Sequence, residues 1–130
     1  MSEKILETLM QLFAIIAKPQ RNDKERREVV EAFLRKLLNQ ELVNKYLSIY
    51  DVAYEEAVKK LEKSSAERRE GAIAIRIRKL CMNINNEGQL DQEQRVYVVI
   101  KALEFCKSGD EEVSQMELDF IKTLAEGLNI

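Results

Sequence analysis

The sequence predicts an all-α protein folded as a single compact bundle of six or seven helices. Three observations carry this prediction. Apolar residues recur at three- and four-residue intervals along nearly the whole chain. No stretch alternates with period two for long, and the β-branched residues fall inside the helical stripes. The breaks between stripes hold capping residues, with only four glycines and one proline among 130 positions. At 45% apolar and 34% charged residues the chain is too apolar for a disordered tail and too charged for a membrane span. One domain covering residues 1–130 can close a core without metal or disulfide.

The first stripe is Ile5, Leu9, Leu12, Phe13 and Ile16, a helix running to about Lys18. Pro19 stops it, because proline lacks an N–H and disfavours helical geometry in the residue before it. Asn22 with Glu25 reads as a capping box for the second helix, which buries Val29, Val30, Phe33, Leu37 and Leu38 and ends near Asn39. From Glu41 the stripe Val43, Tyr46, Leu47, Tyr50, Tyr54, Val58, Leu61 keeps helical spacing, with a break expected near Ser48 because Ser48 and Asp51 both cap well. Lys63-Ser64-Ser65 is a polar connector, and Ile73, Ile77, Leu80, Ile84 form the next stripe, ended by Asn85-Asn86-Glu87-Gly88. Asp91 and Gln94 cap the following helix, with Val96, Val99, Ile100 and Leu103 inside, and Gly109 breaks it. Ser114 and Glu117 make the clearest capping box, opening a last helix that buries Phe120, Ile121, Leu124 and Leu128.

Composition excludes much chemistry. There is no histidine, so Ser-His-Asp and Cys-His nucleophiles, His-ligated zinc or haem and an imidazole pH switch are all ruled out. No GxxxxGK[ST] or GxGxxG phosphate loop occurs. Cys81 follows Arg78-Lys79, which would lower a thiol pKa, yet no general base lies near it in sequence. The expectation is a non-enzyme. Two cysteines, Cys81 and Cys106, read as small buried hydrophobes in a reduced compartment. Met1-Ser2-Glu3-Lys4 lacks a signal-peptide pattern, so the chain is expected in the cytoplasm, without membrane insertion.

The net charge of -2 is unevenly spread. Residues 1–86 carry 17 Lys+Arg against 13 Asp+Glu, and residues 87–130 carry 4 against 10. Neither segment is basic enough to predict a nucleic-acid partner. The chain also echoes itself. Leu12 to Lys18, a polar loop, Asn22-x-x-Glu25 and Val29-Val30-x-x-Phe33 parallel Val99 to Lys107, a loop, Ser114-x-x-Glu117 and Phe120-Ile121.

With these motifs the chain resembles the TerB-like family, named for the bacterial tellurite-resistance protein. That family repeats an apolar helix ending in Ala-Lys, an Asp-Gly loop and a helix opened by Val-Ser-x-x-Glu. Here Leu12 to Lys18 matches the first helix end, and Gly109-Asp110-Glu111-Glu112-Val113-Ser114-Gln115-Met116-Glu117 matches the second loop. The resemblance implies divalent-cation binding through loop acids. It also implies a cytoplasmic, membrane-linked stress or signalling module, often fused to other domains, which leaves room for this chain to be the N-terminal domain of a longer protein. The first loop departs from the pattern: Lys18-Pro19-Gln20-Arg21 stands where the family has Asp-Gly, which removes half of such a site.

Three clusters are candidate sites. Asp110, Glu112 and Glu117, with Glu111, could gather Ca²⁺ or Mg²⁺, or could serve only the positive end of the last helix, where Glu117 closes the capping box. Tyr46, Tyr50 and Tyr54 line one helix face, either as half-buried core or as an exposed ridge for a partner. Arg69 and Arg76, with Arg68 as a further candidate, share a helix flank, either solvated or facing an anionic partner, while Arg78 points elsewhere. The function expected is docking of a protein partner or fused domain through a helical face; the alternative is a divalent-cation sensor built on the acidic loop.

Overall fold

The computed structural model describes residues 1–17, 23–61, 65–108 and 112–130. Six helices form among the described residues: α1 (Glu3–Ile15), α2 (Lys24–Arg35), α3 (Gln40–Leu61), α4 (Ala66–Glu87), α5 (Gln92–Lys107) and α6 (Gln115–Gly127). Among the described residues there is no strand, and no helix is long and apolar enough to cross a membrane. Successive contacts close a ring in the order α1, α3, α2, α5, α6, α4 and back to α1. α1 is buried over most of its surface, with Ile5, Leu9, Leu12 and Phe13 fully enclosed, as expected of a helix that is apolar nearly all round. Phe13 meets Phe33 of α2 edge-on at 5.5 Å between ring centroids and Phe105 of α5 at 5.7 Å. The core is therefore one aromatic-centred cluster shared by all six helices.

Local chemistry explains the helix ends. Ser2, Asp23, Ser65, Asp91 and Ser114 each cap a helix by accepting a backbone N–H from the third residue on. Both predicted capping boxes of the C-terminal part, Asp91/Gln94 and Ser114/Glu117, form in full. Gly88 ends α4 in the left-handed region, at φ 64°, which suits glycine because it has no Cβ to strain.

Several boundaries differ from the sequence reading. α1 ends at Ile15, short of Lys18; Lys18, Pro19 and Asn22 lie outside the described residues, and the α2 cap is Asp23. α2 ends at Arg35, which leaves Leu37 exposed. α3 has no break at Ser48, whose hydroxyl donates back to the Asn44 carbonyl within the helix, while Asp51 receives Arg27 at 2.9 Å. α5 turns a different face inward: Val98, Ala102, Phe105 and Cys106 are buried, and Val96 and Ile100 are exposed. The last stripe behaves as expected, with Phe120, Leu124 and Leu128 in the core and Ile121 partly buried against it.

Where α4 crosses α6, the Cys81 side chain packs directly against Gly127. A Cβ there would lie 2.7 Å from Cys81 Sγ and 2.8 Å from Cys81 Cβ. Alanine ordinarily improves a helical glycine by about 0.5–1 kcal/mol. Gly127→Ala is expected to do the reverse and cost about 1–3 kcal/mol, because the two helices must separate. Thermal unfolding checks this, and a rise in midpoint would mean that α4 and α6 pack less tightly.

Candidate functional site

α3 and α4 are consecutive, 22 residues each, yet they barely touch. α1 packs against both and holds them apart. The space between them is a groove of about 1110 Å³. One wall is α3, through Ile49, Val52, Ala53 and Ala57; the other is α4, through Ala72 and Ile73. Gln11 and Ile15 of α1 form the floor, and Met116 at the start of α6 contributes from the side. Val52 is 63% exposed although it faces an apolar surface. None of residues 51–60 or 68–76 is fully buried, so the core stops halfway along both helices.

The groove carries an uneven charge. Among the described residues, Lys60, Arg68, Arg69 and Arg76 line it, against one acid, Glu56. Arg76 is positioned by a hydrogen bond, its Nη2 donating to Gln11 Oε1 at 3.0 Å across the α1–α4 contact. A smaller hollow of about 360 Å³ shares Gln11 and Arg76 and extends along α4 past Lys79 and Met82. The structure thus brings Arg68, Arg69 and Arg76 to one surface, while Arg78 lines neither hollow.

The other sequence candidates fall elsewhere. Tyr46 and Tyr50 are core residues, 3% and 2% exposed, so they present no ridge to a partner. Tyr50 stacks on Tyr54 at 5.6 Å and meets Phe105 edge-on, and burial pushes its phenol far above the ordinary range. Tyr54 is partly buried. Of the acidic loop, Asp110 and Glu111 lie outside the described residues, and Glu112 is exposed. Glu117 is 2% exposed and committed: Oε1 accepts from the Ser114 N–H and hydroxyl at 3.0 Å, and Oε2 pairs with Arg26 at 3.4 Å. A cation there would have to displace a guanidinium. Among the described residues, no three potential ligands converge.

One cluster escaped the sequence reading. Arg26 is fully buried, with Asp23 Oδ2 3.0 Å from its Nε, Glu117 on its other side and the Phe105 ring 5.6 Å from its guanidinium carbon. Each charged member lies at a helix start, Asp23 at the N-cap of α2 and Arg26 and Glu117 at the third residues of α2 and α6. The cluster is a structural clasp between the two helix entries. The signal available in the sequence was the internal echo, set one residue later: Asp23/Arg26 against Ser114/Glu117. Neither a family model, nor a curated protein, nor a solved structure matches this chain.

Proposed function

We propose that the chain is a non-catalytic, TerB-like interaction module that docks a helix of a partner protein or fused domain in the groove between α3 and α4. The observation that carries this reading is the pair of unfinished helices. Residues 51–60 and 68–76 display Val52, Ala53, Ala57 and Ile73 around an open groove without burying any residue completely. Helical ends of this length have little stability of their own and gain most of it from packing. A helix is roughly 10 Å across and rises about 1.5 Å per residue, so the groove has room for about two to three turns. Helix-in-groove recognition works in this way, with an apolar stripe of the guest filling a trough of the host.

Other features support the reading without naming the partner. Both thiols are buried, with pKa values pushed up by burial, so neither is a ready nucleophile. The capped entries of α2 and α6, each following an apolar helix, support the TerB-like resemblance, and with it a cytoplasmic role in stress response or signalling.

The test is an amide NMR titration with an amphipathic peptide of about 16 residues bearing a leucine stripe and neutral glutamine flanks. Saturable shifts are expected at Ile49, Val52, Ala53, Ala57 and Ile73, and Ala72→Trp, at an exposed groove position, should weaken binding about tenfold. Absence of saturable shifts, or shifts that Ala72→Trp leaves unchanged, would overturn the proposal.

A further inference from the structure

The docking reading leaves the guest's chemistry open, and the charges around the groove restrict it. Resting on that reading, we propose that the occupant is an amphipathic helix whose apolar stripe is flanked by aspartate and glutamate. Among the described residues, Lys60, Arg68, Arg69 and Arg76 against Glu56 give the groove lining an excess of three positive charges, in a chain whose net charge is -2. The local field is thus opposite in sign to that of the molecule as a whole, and complementary charge steers and orients association.

Three of these cations, Lys60, Arg68 and Arg76, are also unspent. Elsewhere on the bundle surface basic residues have acidic partners, as in Arg27–Asp51, Arg35–Glu31, Lys45–Glu3 and Lys101–Glu104. Among the described residues, no ion pair engages Lys60, Arg68 or Arg76. Arg76 is held by a neutral amide, which fixes its position and leaves its charge unneutralised.

Placement adds a spacing rule. Lys60 stands on the α3 wall and Arg68 and Arg76 on the α4 wall, so both flanks of a seated helix face cations. Arg68 and Arg76 are eight residues apart on one helix, about 12 Å of rise. Acids seven or eight positions apart on one flank of the guest match that separation. Ala53, Ala57 and Ala72 leave space for the guest's larger apolar side chains. Among the described residues, the groove lining contains no aromatic residue on which a nucleobase could stack, which disfavours nucleic acid as the source of negative charge.

The experiment is fluorescence anisotropy on the full chain with three peptides of about 16 residues. They share one leucine stripe and differ in flanks of glutamate, glutamine or lysine. The glutamate peptide is expected to bind about tenfold more tightly than the glutamine peptide, and the lysine peptide most weakly. The advantage should shrink between roughly 50 and 500 mM salt. Lys60→Glu with Arg68→Glu, both exposed, should reverse the order without changing the melting curve. Equal binding of all three peptides would overturn the acidic-guest inference and leave the docking reading standing. Tightest binding of the lysine peptide would do the same. Binding of none would overturn both, as would binding only to phosphatidylglycerol vesicles, which would assign the cations to a membrane surface.

Discussion

Replacing Arg26 by methionine is expected to destabilise the protein by about 3–5 kcal/mol, the usual cost of removing one partner from a buried ion pair. The reason is what remains. Asp23 and Glu117, each with a side chain only 2% exposed, would keep negative charge in the interior without the guanidinium that balances it. Methionine fills much of the volume, so the loss would be electrostatic and not a cavity effect. Arg26→Lys should fall in between, because lysine keeps the charge but neither forks between two carboxylates nor stacks flat near Phe105. Glu117→Gln should cost less than Arg26→Met, since the amide oxygen can still accept from Ser114. The double variant should cost less than the sum by about 1–3 kcal/mol, the coupling of two groups in direct contact. Urea unfolding followed by circular dichroism gives all four values. Additive losses, or a loss below about 1 kcal/mol for Arg26→Met, would mean that the charges contribute no more than an exposed pair does.

This clasp marks where the sequence was legible and where it was not. Helix existence and type were readable because each amphipathic stripe repeats a local period, and the caps Asp91/Gln94 and Ser114/Glu117 act within four residues. The echo between the entries of α2 and α6 was readable too, but its register was not. Asn22-x-x-Glu25 has the residue types of a capping box, whereas Asp23 is the residue that caps α2. Shifting by one turns Arg26 from an ordinary surface arginine into the counterpart of Glu117. Its burial depends on a contact 91 positions away, which no local pattern encodes. The groove was half visible in the same sense. The Arg69 and Arg76 flank followed from helical spacing on α4, but the opposite wall belongs to α3, and only α1 sets the distance between them. The tyrosines were left between core and ridge for a related reason. Spacing showed that Tyr46 and Tyr50 share a face, and only tertiary packing determined that this face lies inward.

The second large effect is expected at alkaline pH, where the two buried thiols oppose folding. Burial pushes Cys81 up to about 11 and Cys106 up to about 12 from an ordinary value of 9.0, with Glu117 adding to the rise at Cys106. The surroundings suit the protonated form. Cys81 Sγ lies 3.9 Å from the Leu124 carbonyl oxygen and Cys106 Sγ 3.9 Å from that of Ile16, so each S–H can donate weakly where a thiolate would face another negative dipole end. Above pH 9 the unfolded chain releases both protons while the folded chain retains them, so stability must fall as pH rises. The loss is about 1.4 kcal/mol per pH unit for each thiol, until pH passes the folded values. By pH 11 it reaches about 5 kcal/mol, comparable with the whole stability of a small domain. Tyr46 and Tyr50, also raised by burial, act in the same direction, so the readout is a difference. Cys81→Ala with Cys106→Ala should be slightly less stable at pH 7 but should lose stability with a shallower slope between pH 9 and 11. Parallel slopes would place the thiolates in contact with water in the folded state. They would also restore an accessible nucleophile to a protein whose proposed role has no use for one.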